Sequence, residues 1–89
     1  MNMMVIGKEI KMIDSINLKG ISYPVKFGFE VNDELKAIKV KKINKVNKEE
    51  LEGKEVYKFS CESEIEDEIL KFDITFDTDT YKWVLTDIQ

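Results

Sequence analysis

Cys61 is the one thiol in the chain, and Asp77 and Asp79 in the stretch "DTDT" are the carboxylates whose spacing best suits acid–base work. A nucleophilic cysteine needs a neighbouring histidine or a cationic pocket to hold it as thiolate. The chain holds no histidine, and all fourteen of its cationic side chains are lysine. Cys61 also alternates with Tyr57 and Phe59 in "YKFSC", which predicts a buried and inert thiol. A carboxylate pair works as acid and base when one member is buried and the other wet. Asp77 and Asp79 fall in a Thr/Asp-rich stretch whose side chains favour Asx-type turns, where both are wet. Without arginine, no side chain grips a phosphate or carboxylate bidentately. These absences predict a protein that is not an enzyme and carries no cofactor.

Two charged runs remain. "IKVKKINKVNK", with Lys36 two residues before it, holds Lys36, Lys39, Lys41, Lys42, Lys45 and Lys48. "ESEIEDE" holds Glu62, Glu64, Glu66, Asp67 and Glu68. A basic stripe tracks phosphates best when aromatic rings lie beside it for base stacking. Here the aromatics fall on the opposite parity of each strand. The lysine run is therefore expected first as a solvated face and a protected sheet edge, with a nucleic-acid surface and a contact for an acidic protein as equal alternatives. The acidic run lacks the glycine-bearing spacing of a calcium loop, and no metal is expected there. It suits a solvated strand end, or an acidic face that imitates the charge of a nucleic acid.

The 89 residues predict a single domain spanning 1–89. Five Phe, three Tyr and one Trp within a chain that is 43% hydrophobic exclude disorder. The net charge of −4 disfavours bulk nucleic acid and anionic membrane as partners. No apolar run approaches the ~18 residues of a membrane span, and the apolar stretch 3–6 is too short for a signal peptide. A cytoplasmic location is expected.

The elements that must position these residues are strands. In "ISYPVKFGFEV" the apolar side chains Ile21, Tyr23, Val25, Phe27, Phe29 and Val31 all sit at odd positions, the period of a strand with one buried face. Pro24, on the other parity, predicts a solvated face or edge. "LKFDITF" alternates in the same way, and "YKWVL" sets Tyr81, Trp83 and Leu85 on one side. Ile38 and Val40 alternate with Lys39 and Lys41. Residues 9–18 read as a strand, although Ile6, Ile10 and Ile13 also suit one face of a helix. Turns are expected at Lys19-Gly20, at Asn32-Asp33 and across residues 77–80. Asn47 as N-cap, Glu50 three residues on, Val46 and Leu51 as a staple, and Gly53 at the C′ position predict a short helix after the third strand.

The predicted fold is mainly β: an antiparallel meander of about six strands with that one short helix. Its single greasy face must be covered, by curling into a small barrel, by an N-terminal helix, or by a second copy. The expected function is a non-enzymatic protein-binding or regulatory module that meets another protein or its own copy through segregated basic and acidic surfaces. Two alternatives stand behind it: a small acidic inhibitor of the nucleic-acid-mimic type carried by phages and mobile elements, and a small β-barrel nucleic-acid binder.

Overall fold

The computed structural model describes residues 4–31 and 33–89. The described residues form eight strands and no helix: β1 (Met4–Ile10), β2 (Met12–Ile16), β3 (Ser22–Val31), β4 (Glu34–Lys39), β5 (Lys42–Leu51), β6 (Lys54–Ile65), β7 (Glu68–Asp77) and β8 (Lys82–Ile88). All pairings are antiparallel. One sheet has five strands in the order β1-β8-β7-β6-β5, and the other has three in the order β2-β3-β4.

The two sheets share two corners. Lys11 alone separates β1 from β2, and only Val40 and Lys41 separate β4 from β5. At each corner the chain leaves one sheet and enters the other. The segments that alternate through the corners therefore count as eight strands and not about six. The ladders stop at the corners, so two sheets face each other across a core in place of a closed barrel.

Period two decides which side chains meet. Phe27 and Ile38 of the smaller sheet face Phe59, Cys61, Phe72, Ile74, Phe76, Trp83 and Leu85 of the larger one. Phe27 meets Phe72 edge-on across the gap, with ring centroids 5.5 Å apart. Phe76 and Trp83 lie tilted at 4.4 Å within the larger sheet. Phe59, Phe72, Ile74 and Leu85 are fully enclosed, and each such side chain contributes about 2–3 kcal/mol relative to exposure. Each sheet thus covers the apolar face of the other, so neither a helix nor a second copy is needed as a lid.

The structure corrects several expectations. The helix after the third strand is absent. Residues 42–51 continue as β5, paired with β6 from Lys42–Glu62 to Leu51–Lys54. Gly53, with φ +78°, and Glu52, with φ +51°, form the two-residue turn between them. Such a turn needs positive φ at both central positions, and a helical C′ glycine needs it too. The same glycine thus signals either ending. A helix of one or two turns is marginal without tertiary support, whereas the ladder to β6 satisfies the backbone of the whole segment.

Pro24 is buried, not solvated. It lies where Ile13 pairs with Lys26 but Asp14 pairs with Pro24, so Val25 is an extra, bulged residue. A bulge is a place where a strand tolerates proline. Tyr81 does not join Trp83 and Leu85 in the core. It sits in the β7–β8 turn at φ +58° and is 75% exposed. Ile6, Ile10 and Ile13 lie on strands: Ile10 is buried, and Ile13 faces solvent from β2.

Other turns form as their residues predict. The Asn17 Oδ1 accepts from the backbone N–H groups of Lys19 (2.9 Å) and Ile21 (3.0 Å). The Asp77 Oδ1 accepts from those of Asp79 (2.8 Å) and Thr80 (3.3 Å). Of the Asn32-Asp33 turn, Asn32 lies outside the described residues.

Candidate functional site

The lysine run is divided by the second corner. Lys36 and Lys39 belong to β4 of the smaller sheet, whereas Lys42, Lys45 and Lys48 belong to β5 of the larger one, and Lys41 lies between. The run is thus no single stripe. Lys39 stands opposite Lys26 of β3, a like-charged pair on the outer face of the smaller sheet.

The acidic run is brought against the basic one. Glu62 and Glu64 lie on β6, next to β5. Glu64 takes a hydrogen-bonded ion pair from Lys41. That contact, followed by its charge, holds the Glu64 carboxyl below its ordinary range and raises the Lys41 ammonium. Glu62 stands opposite Lys42 on one side and Lys71 on the other. Its Oε1 also accepts from the Asn44 side-chain amide at 2.8 Å. Ser63, buried between them, donates its hydroxyl to the Lys39 carbonyl at 2.5 Å and so ties β6 to the corner. Farther along the hairpin Lys48 pairs with Glu55 at 3.2 Å, and that hydrogen bond raises its ammonium. Glu66 and Asp67 form the β6–β7 turn with positive φ at both residues, and Glu68 opens β7. Near the corner Lys41 neutralises Glu64, and the other acids of the run, Glu62, Glu66, Asp67 and Glu68, join no ion pair among the described residues.

What remains open is a strand. The edges of the two sheets are β1, β2, β4 and β5. The seven-residue β1 is broken by a register shift between Val5 and Lys8, with Gly7 at φ +61°. The five-residue β2 carries the bulge at Val25 against it. β4 has six residues and ends in the corner. β5 runs for ten residues, with a register shift between Ile43 and Lys45 that leaves the ladder regular from Lys45 to Leu51, and among the described residues it pairs on one side only, with β6. Val46 stands opposite Phe59, and Lys48 opposite Tyr57. They share the inner face but reach past the cover of the smaller sheet, which leaves Val46 half exposed. Lys45, Asn47 and Glu49, opposite Ser60, Lys58 and Val56, take the outer face. Sequence reasoning missed this edge because it folded residues 47–53 into a helix. The alternation of "KVNKEEL" is too polar to announce a strand by itself.

The hollows are shallow. One of about 450 Å³ is bordered by Lys48, Glu49, Glu50 and Glu55 at the end of the β5–β6 hairpin. A second, of about 260 Å³, opens between the sheets and is lined by Phe29, Ile38, Ile65, Leu70 and Ile88, with Lys36 at its rim. Among the described residues no three cysteine or carboxylate side chains converge as metal ligands would, and no helix is long and apolar enough to cross a membrane. Cys61 is buried, and desolvation, followed by the charge of Asp73, pushes its thiol up to about 12. Asp87 has one carboxylate oxygen enclosed without a hydrogen-bond partner. Burial, then its contact with Asp73 on the neighbouring strand, pushes its carboxyl up.

Comparison with protein-family models, with curated proteins and with solved structures finds no match to this chain. The geometry of the chain itself carries the functional argument.

Proposed function

We propose that the protein is a non-enzymatic binding module that takes up a partner protein along β5, as an added strand of its larger sheet. One observation carries this proposal: among the described residues, β5 is a ten-residue edge with a neighbour on one side only. An open strand edge offers a row of backbone donors and acceptors, which gives affinity, while alternate side chains give specificity. Lys42 and Lys45 stand at its start and Glu49 and Glu50 at its end, and none of the four joins an ion pair among the described residues. Unpaired charges of known order along an edge set the register of an incoming strand. The acidic tip at Glu66, Asp67 and Glu68 is a second contact surface. A cytoplasmic setting belongs to the same proposal.

The two alternatives draw on less. An acidic mimic needs a continuous anionic face, and Glu62 and Glu64 are already engaged by Asn44 and Lys41. A nucleic-acid binder needs aromatic rings for stacking, and Phe27, Phe59, Phe72, Phe76 and Trp83 are buried. Affinity capture with the tagged protein separates all three. The expected result is one captured protein, reconstituted from purified components, whose binding falls when Lys45 and Lys48 are changed to Glu. Binding that ignores β5 but is lost on reversing Glu66, Asp67 and Glu68 points to the acidic face. Retention on single-stranded DNA with a steep salt dependence points to nucleic acid.

A further inference from the structure

The order of charges on β5 identifies a partner. We infer that β5 pairs with β5 of a second copy of this chain, antiparallel, about a two-fold axis at Asn47. This rests on the proposal that β5 is a binding edge and names its occupant.

The strand begins with Lys42 and Lys45 and ends with Glu49 and Glu50, while Lys48 between them is engaged by Glu55 of β6. A uniformly basic edge repels its own copy, and this is one way in which proteins blunt such edges. A strand that is basic at one end and acidic at the other complements itself when reversed. With the axis at Asn47, Lys45 stands opposite Glu49 of the second copy, and by symmetry Glu49 stands opposite Lys45. All four side chains lie on the outer face, the face that Lys45, Asn47 and Glu49 share. On the inner face Val46, half exposed in the single chain, packs against the methylene stem of Lys48. Neighbouring registers are worse. An axis at Lys48 sets Lys48 against itself, and one at Val46 sets Lys45 against Asn47 and Glu49 against Ile43, moving its only charge pair, Lys42 with Glu50, beyond the irregularity between Ile43 and Lys45. Like charges directly opposite each other are destabilising across a ladder.

The pairing joins two five-stranded sheets into one continuous sheet through an isologous contact, the kind a two-fold dimer requires. A single strand pair is small beside the ~1,200 Å² at which stable interfaces begin, so the dimer is expected to be weak and to depend on concentration.

Sedimentation velocity of the full chain, over a range of concentrations at low salt, tests this. The unaltered protein is expected to pass from monomer to dimer. Lys45→Glu alone and Glu49→Lys alone each place two like-charged pairs at the axis, and each is expected to weaken dimerisation about tenfold or more. An equal mixture of the two variants sets acidic against basic at both positions and is expected to form a heterodimer tighter than either homodimer. The double variant restores the original pairs in reverse and is expected to regain the original affinity. Both positions lie on the surface, and circular dichroism verifies that the variants fold. A dimer indifferent to both single substitutions overturns the register, and a protein that stays monomeric at millimolar concentration overturns the self-pairing. In the latter case, capture of another protein that still depends on Lys45 and Lys48 leaves the binding-module proposal standing.

Discussion

Phe27 and Phe72 touch across the gap between the sheets, and removing that contact tests whether the sheets pack as described. Each ring is 2% exposed, and the two meet at 5.5 Å with their planes at 69°. A domain of this length has a total stability of about 4–13 kcal/mol. Truncating either ring to alanine costs about 3–5 kcal/mol, enough to unfold a chain at the lower end of that range. Leucine is the gentler probe. It keeps an apolar side chain of moderate size, and each change is expected to cost about 1–2 kcal/mol, within the usual range for core substitutions. The informative quantity is the coupling. An edge-to-face aromatic pair is worth about 0.5–1.5 kcal/mol beyond the area it buries. The double variant Phe27→Leu with Phe72→Leu is therefore expected to be less destabilised than the sum of the single variants by that amount. Urea unfolding followed by the fluorescence of Trp83, itself in the core, supplies the four free energies of the cycle. Additive losses, with no coupling, would refute the face-to-face arrangement of the two sheets at this point.

The β6–β7 turn holds Glu66 at φ +51° and Asp67 at φ +65°, a conformation that costs a side-chain-bearing residue roughly 1 kcal/mol or more. Asp67→Gly is expected to raise the unfolding midpoint in urea, by about 0.5–1 kcal/mol in free energy. Asp87 has its carboxyl pushed above the ordinary value by burial and by Asp73. Stability linked to its protonation is fully present below the unfolded value of about 3.9 and is lost as pH rises through the higher folded value. Asp87→Asn keeps the shape and can donate a hydrogen bond to Asp73. It is expected to stabilise the fold at pH 7 by about 1 kcal/mol, an advantage that shrinks in urea titrations as pH falls through the raised folded value and is gone below about 3.9. With its thiol raised to about 12 and enclosed, Cys61 is expected to react with an aromatic disulfide reagent at pH 8 only as fast as the chain unfolds. Rapid labelling of the native protein would contradict its burial.

The fold was legible where side chains alternate against a dry interior. Phe72, Ile74 and Phe76 spell β7 by parity alone, and Phe27, Phe72 and Trp83 do come together in one core. Parity is silent on bends: nothing about Lys11, or about Val40 and Lys41, marks a place where a strand changes sheets. Those corners turn about six segments into eight strands and decide against a closed barrel. Asn47, Glu50 and Gly53 misled because capping chemistry and hairpin chemistry use the same residues, and the choice between them rests with β6, which is distant in sequence. Pro24 misled for a related reason. A bulge at Val25 shifts the facing of the chain there, and bulges are properties of a pair of strands. The charged runs were visible as composition. Their mutual engagement, as in Lys41 with Glu64 or Lys48 with Glu55, depends on the β5–β6 register. So does the placement of Lys45 and Glu49 on an open edge.

Residue-resolved amide exchange bears most directly on the claim that β5 is the edge at which the protein binds. Spectra of the dilute chain, compared with those of the concentrated chain or of the chain saturated with a captured partner, are expected to show slowed exchange at alternate residues of β5. The amides of β1, β2 and β4 should be unchanged. Slowing confined to one of those other edges, with β5 exchanging as freely as in the isolated monomer, would contradict it.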